Sequence, residues 1–168
     1  KINDINLNRW KEYEDIITDS LWYWEKRDNS GVHIASYWGN FIPQIPNQTI
    51  KRYTKKEDWV LDTFSGSGTT LIECKRLGRN GIGIELNPKV VKESKELISK
   101  EENPSKVYTN VIQGDSKTIS YNELLKNLPI KNFQMVIMHP PYHDIIKFSK
   151  DREDLSNAKS LKEFLGKK

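Results

Sequence analysis

Cysteine is almost missing from this chain of 168 residues: Cys74 stands alone, which excludes a disulfide framework and a cysteine zinc cluster. No apolar run approaches the roughly 18 residues that a membrane span needs. The first residues are polar and include Asp4, Glu12 and Glu14, so they do not read as a signal peptide. These absences predict a cytoplasmic protein without membrane partners. Internal repeats and low-complexity tracts are also missing, which excludes solenoid and linker classes. Apolar residues make up only 36% and the mean hydropathy is −0.73, yet 10% aromatic residues argue against disorder. The length allows one domain with a real core, not two large ones. A net charge of +4 and a pI near 9.0 are compatible with a polyanionic partner. The chain starts at Lys1 rather than methionine, as expected of a part of a longer gene product.

What is present is an alternation of short apolar runs and amphipathic stretches. Trp10, Tyr13, Ile17, Leu21 and Trp24 recur at spacings of three and four, predicting a helix over 8–25. A loop with Gly39, Pro43 and Pro46 follows, then a helix over 47–54 with Asn47 as its cap. Strands are predicted over 59–64, 81–86, 107–113 and 134–139, with helices over 69–77, 89–100 and 123–128 between them. Met135 to Met138 is uninterruptedly apolar, so the last strand is expected to be buried on both faces. Such alternation predicts a parallel, doubly wound α/β sheet. Four strands would leave the last one as an apolar edge. After Tyr142 about 26 residues remain, rich in charge, with one helical run near 156–165. The expectation is an incomplete catalytic domain, finished by further sequence, a second polypeptide or a second copy.

Two motifs carry chemistry. The run Val60-Leu61-Asp62-Thr63-Phe64-Ser65-Gly66-Ser67-Gly68-Thr69-Thr70 is a strand opening into a glycine turn ahead of a helix. In a doubly wound sheet such a turn lets backbone approach a nucleoside cofactor without a Cβ in the way. Glu85 lies 17 residues after Gly68, at the end of the next strand, where an acid meets ribose hydroxyls. A dinucleotide fingerprint would want glycine at 71, where Leu71 stands. A phosphate loop would want lysine at 69, where Thr69 stands. S-adenosylmethionine (SAM) carries no phosphate and needs neither device, while an acid such as Asp62 suits its sulfonium and amino group. No metal is expected.

The second motif, His139-Pro140-Pro141-Tyr142, lies about seventy residues further on. Consecutive prolines must leave the sheet at the strand end, and they fix both the Pro140 carbonyl and the Tyr142 ring. A base amino group is a poor nucleophile because its lone pair is delocalised into the ring. Acceptors at position 139 and at the Pro140 carbonyl can localise that pair, and an aromatic face can hold a flipped base.

These residues resemble the DNA amino-methyltransferases, which modify adenine or cytosine on the exocyclic nitrogen. The run from Asp62 to Thr70, with Phe64, Ser65, Gly66, Ser67, Gly68 and Thr69, is similar to that family's cofactor loop. Glu85 and Leu86 resemble its acidic second strand, and Gly114-Asp115 with Ser116 its third-strand acid. Phe41 and Pro43, with His33 upstream, resemble an additional cofactor motif ahead of the glycine loop. The tetrapeptide 139–142 resembles the family's (Asp/Asn/Ser)-Pro-Pro-aromatic turn, with His139 as a departure that serves only when neutral.

The resemblance implies a Rossmann-like SAM-dependent enzyme acting on DNA, with restriction-modification as its setting. It divides the chain into an N-terminal segment 1–58, a catalytic core 59–145 and a charged tail 146–168 that lacks a target-recognition region. The alternatives are an RNA-base or protein-glutamine amino-methyltransferase, or a non-catalytic subunit of a split methylase. Lys147, Lys150, Arg152, Lys159 and Lys162 could line a DNA path, but Asp144, Asp151, Glu153 and Asp154 lie among them.

Overall fold

The computed structural model describes residues 1–143 and 145–166; Asp144 and the last two lysines lie outside the described residues. Four parallel strands form one sheet in the order β3-β2-β1-β4, with β1 Trp59–Asp62, β2 Asn80–Glu85, β3 Thr109–Gln113 and β4 Met135–Ile137. Leu61 is the hinge of the register, opposite Ile82 on one side and Val136 on the other. Helices α1 Gln44–Tyr53, α2 Thr69–Leu77 and α3 Pro88–Lys100 cover one face. Their apolar residues, including Ile50, Leu71, Cys74, Val91 and Ile98, close on Val60 and Val111. The opposite face carries Leu61, Ile82 and Ile84, packed against Tyr121 and Leu124 of α4, Tyr121–Lys126. The sheet is thus wound on both faces, as a Rossmann-like fold requires. Among the described residues no helix is long and apolar enough to cross a membrane.

Local chemistry sets the ends of these elements. In α3, Asn87 accepts the Lys89 N–H at 3.0 Å and Pro88 occupies the first helical position, where no N–H is needed. Helix α2 stops at Gly78, whose φ of +73° lets its N–H reach the carbonyls of Cys74 and Lys75.

Three expectations are corrected. The helix over 8–25 is replaced by a 3-10 helix, Leu7–Tyr13, and irregular chain. The backbone there finds tertiary partners instead of its own carbonyls: the Ile17 N–H donates to Gln48 Oε1 and the Asp15 carbonyl accepts from Gln48 Nε2. Helix α1 begins at Gln44 rather than 47, with Pro43 as its cap, because Pro46 sits in the first turn where its missing N–H costs nothing. Asn47 is no cap; its amide donates to Glu73 Oε2 at 2.7 Å. Strand β4 is not buried on both faces: Val136 is 50% exposed, since no strand among the described residues lies outboard of it and no helix covers that side.

Glu73 fastens the N-terminal segment to α2. Its carboxylate is buried and takes His33 Nε2 at 2.7 Å, Asn47 Nδ2 at 2.7 Å and Arg76 at 3.2 Å. Glu73→Ala would take this acceptor from His33 and Asn47 and one of several from Arg76, which keeps Glu101 and Ser30. An expected loss of about 3 kcal/mol in urea unfolding follows; a loss below ~1 kcal/mol would show that the node is not a fastening.

Candidate functional site

The ends of β1, β2 and β4, the turn after β3 and two loops enclose a cavity of about 650 Å³. Its floor is the glycine turn. The Ser65 N–H donates to the Ile84 carbonyl at 2.9 Å and the Gly66 N–H to Glu85 Oε2 at 3.0 Å, tying β1 to β2. Gly66 has φ +49° with the Tyr37 ring directly above it, so a side chain there would meet both strain and the ring. Gly68, at φ +86°, turns the other way: a Cβ would lie 2.7 Å from Ile98 of α3. Its role is helix packing.

Asp62, at the end of β1, is fully buried, and burial pushes its carboxyl up to about 6 against the pull of the Phe64 N–H. Glu85 is also raised, first by burial, while the N–H groups of Asn87 and Gly66 oppose the shift. The hydroxyls of Thr63 and Ser65 are buried without a protein partner. Thr69 Oγ1 donates to Asn40 Oδ1 at 2.6 Å, pinning the N-terminal loop to the start of α2. Arg27 braces the same loop by donating to the carbonyls of Ile34 and Phe41 at 3.1 and 3.0 Å. Ser116 donates from Oγ to the Thr63 carbonyl, holding the Asp115 turn against β1.

The proline turn forms another wall. His139 is half-buried; its Nε2 lies 3.2 Å from the Tyr142 hydroxyl, and the Phe41 ring meets it edge-on at 4.9 Å. Burial holds the His139 imidazole below its ordinary value, so at neutral pH it is an acceptor. Tyr142 lines the cavity and is 58% exposed.

Phe41, Asp62, Phe64, Ser65, Gly66, Thr69, Glu85, Leu86, Asp115, Ser116, His139, Pro140, Pro141 and Tyr142 all line this one cavity. Pro43, Ser67, Gly68 and Thr70 do not; Pro43 is buried at the cap of α1, and the others are buried around the start of α2. Asn40, beside Phe41 in the motif ahead of the glycine loop, also lines the cavity, as do Tyr37 and Gly39, which carried no sequence signal, and part of the tail. Residues Phe148, Ser149, Glu153, Asp154 and Leu155 complete the enclosure. Leu155 between Asp154 and Ser156, an apolar residue behind a cap signature in a charged stretch, was the available signal.

A nucleoside with a charged amino-acid arm fits this donor set. Glu85 faces the cavity with a carboxylate already oriented by backbone, Asp62 is a buried anion without a cation, and Thr63 and Ser65 offer unused hydroxyls. No group of three or more metal-ligating side chains occurs among the described residues. SAM is a cofactor that these residues could hold, Glu85 being placed to take ribose hydroxyls and Asp62 to take a cationic arm.

Comparison with known proteins agrees. The profile of a family described as DNA methylase matches residues 4–96, more than half of the chain. The type II methyltransferase M.MjaII of Methanocaldococcus jannaschii is 45% identical over 65 residues, covering 38% of this chain and 12% of that enzyme. M2.DpnII of Streptococcus pneumoniae is 33% identical over 99 residues, 56% of this chain and 34% of its own length. The chain therefore matches about a third of one of these relatives and about an eighth of the other. A putative DNA modification methylase from Thermus thermophilus, solved with SAM, is 34% identical over 44% of this chain and 30% of its own, with a TM-score of 0.38. With the family profile lying across the strand, glycine turn and acid that floor the cavity, this chain belongs to the DNA methylase family.

Proposed function

We propose that this chain supplies the cofactor and target-base sites of a DNA methyltransferase that modifies the exocyclic amino group of adenine or cytosine in a restriction-modification setting. One observation carries the reading: the glycine turn at Gly66 and the proline turn at His139–Tyr142 open into the same cavity. Bound there, SAM would supply an electrophilic methyl group. The chain's own task is to make an amino nitrogen nucleophilic and to hold it in place. The Pro140 carbonyl and His139 Nε2 accept its N–H groups, drawing the lone pair out of conjugation with the base. In the free protein His139 Nε2 lies within hydrogen-bond distance of the Tyr142 hydroxyl, and in the tautomer that leaves Nε2 as acceptor the arriving amino group takes this place. The exposed Tyr142 ring then serves as the stacking face for a flipped base. The reading needs no covalent nucleophile; Cys74 is buried against Ile50 of α1 and Val60 of β1, and burial pushes its thiol well above the ordinary value.

The open β4 edge leaves room for a further strand from the remaining gene product, a second polypeptide or a second copy. The test is nucleoside mass spectrometry after exposing duplex DNA, tRNA and protein to the complete gene product with methyl-labelled SAM. N6-methyladenine or N4-methylcytosine in DNA is the expected result. Label appearing only in tRNA or protein would replace the substrate, and no label in any acceptor despite SAM binding would make the chain a non-catalytic component.

A further inference from the structure

The tail after the proline turn closes one side of the cavity with Phe148, Ser149, Glu153, Asp154 and Leu155. Asp154 is buried and sits at its centre. Its Oδ2 accepts from Ser149 Oγ at 2.7 Å, and its Oδ1 accepts from both the N–H and the hydroxyl of Ser156 at 2.9 and 2.7 Å. The Ser156 hydroxyl in turn accepts the Phe148 N–H at 3.0 Å. Asn157 closes the loop by donating to the carbonyls of Ser149 and Asp151 at 2.8 Å. Every one of these bonds lies within residues 148–157, so the segment carries its own shape.

What that shape presents is Phe148. Its ring stacks on Tyr37 with centroids 6.2 Å apart and planes 29° apart. Tyr37 itself lies on the Gly66 turn. On its other side Phe148 fills the space above Gly39, where a Cβ would stand 2.7 Å from the ring and φ is +78°. Glycine turn, Tyr37, Phe148 and Gly39 form a continuous stack from the end of β1 to the tail. Asp154 also bears on Glu85 and Tyr37 electrostatically across the same space.

We propose that residues 148–157 form the fourth wall of the cofactor site, with Phe148 in contact with the bound SAM and Asp154 as the positioning residue that holds Phe148 there through Ser156. This rests on SAM as the cofactor but not on the identity of the methyl acceptor. The strap lies outside the segment that the family profile matches, so nothing in that match assigns it.

SAM binding by calorimetry, without any acceptor, tests the strap on the complete gene product. Phe148→Ala and Asp154→Ala are each expected to weaken SAM binding about tenfold, the effect of losing one well-packed aromatic contact. Asp154→Asn keeps Oδ1 for Ser156 and can donate to Ser149, so it is expected to bind within about twofold of the parent. A parallel thermal melt separates wall from scaffold: the Phe148→Ala loss must appear with a folded protein. In turnover, the strap variants should raise KM for SAM and leave KM for the methyl acceptor unchanged. SAM affinity unchanged in Phe148→Ala would overturn the proposal, as would an Asp154→Asn variant no better than Asp154→Ala. A parent protein that fails to bind SAM would instead remove the cofactor reading, and the strap with it.

Discussion

His139→Ala is expected to lower kcat for methyl transfer at least about a hundredfold, the scale of a lost polar partner to a developing charge, while the SAM dissociation constant moves less than about twofold. The reason is the position of the side chain. His139 sits at the end of β4 beyond the glycine turn, in contact with Phe41 and Tyr142 rather than with Asp62 or Glu85. It can therefore act on the acceptor without holding the cofactor. Tyr142→Ala should share this signature, with the additional rise in KM for DNA that loss of a stacking face implies. His139→Asn tests the chemistry rather than the shape, since its carbonyl restores one acceptor; recovery of at least a tenth of the parent rate is expected by that argument. The pH profile gives an independent check. Burial holds the imidazole below its ordinary value, so kcat at saturating SAM should fall on the acid side with a midpoint below that of a free imidazole, as the ring takes a proton. His139→Asn should lack that fall. Equal loss of SAM binding in His139→Ala would contradict the division of labour between the two turns.

The parts legible in the sequence are those where local chemistry and tertiary packing ask for the same thing. The run from Val60 to Thr70 reads as strand, turn and helix because apolar residues, two glycines at positive φ and a helix-forming stretch follow in order. Helix α3 is legible from Asn87-Pro88 and the inward Val90, Val91 and Ile98. The N-terminal aromatic stripe misled because periodicity reports a face without naming its partner. Gln48, 31 residues away, captures the Ile17 N–H that a helix would have needed, and Arg52 stacks on Trp22 at 4.9 Å. Met135 to Met138 misled for another reason. An apolar run reads alike in a central strand and in an edge whose neighbour lies elsewhere. The tail was hard to read as a wall: beyond the cap signature around Leu155, its shape depends on side-chain bonds within 148–157, which carry no period at all.

The second large effect concerns Asp62. In the free protein its carboxyl is pushed up to about 6 by complete burial, above the ordinary 3.8. The sign of the consequence is fixed. A folded-state value above the unfolded one means that the group favours folding below about pH 4, and that this contribution is lost as pH rises through 6. The loss amounts to about 3 kcal/mol in total. At neutral pH the protein thus holds a buried anion without a cationic partner, an unfavourable state that a bound ammonium relieves. SAM affinity is therefore expected to be level above pH 6 and to weaken about tenfold for each unit below it, with release of about one proton on binding near pH 5 and none near pH 8. Asp62→Asn should raise the dissociation constant about a hundredfold at pH 7.5, as an uncompensated charged contact would. It should also flatten the acid limb. Calorimetry in buffers of different ionisation enthalpy measures both quantities on the same samples. Should the Asn variant keep the slope below pH 6, the proton would belong to another group, with Glu85, raised in the same direction by burial, the residue to replace next.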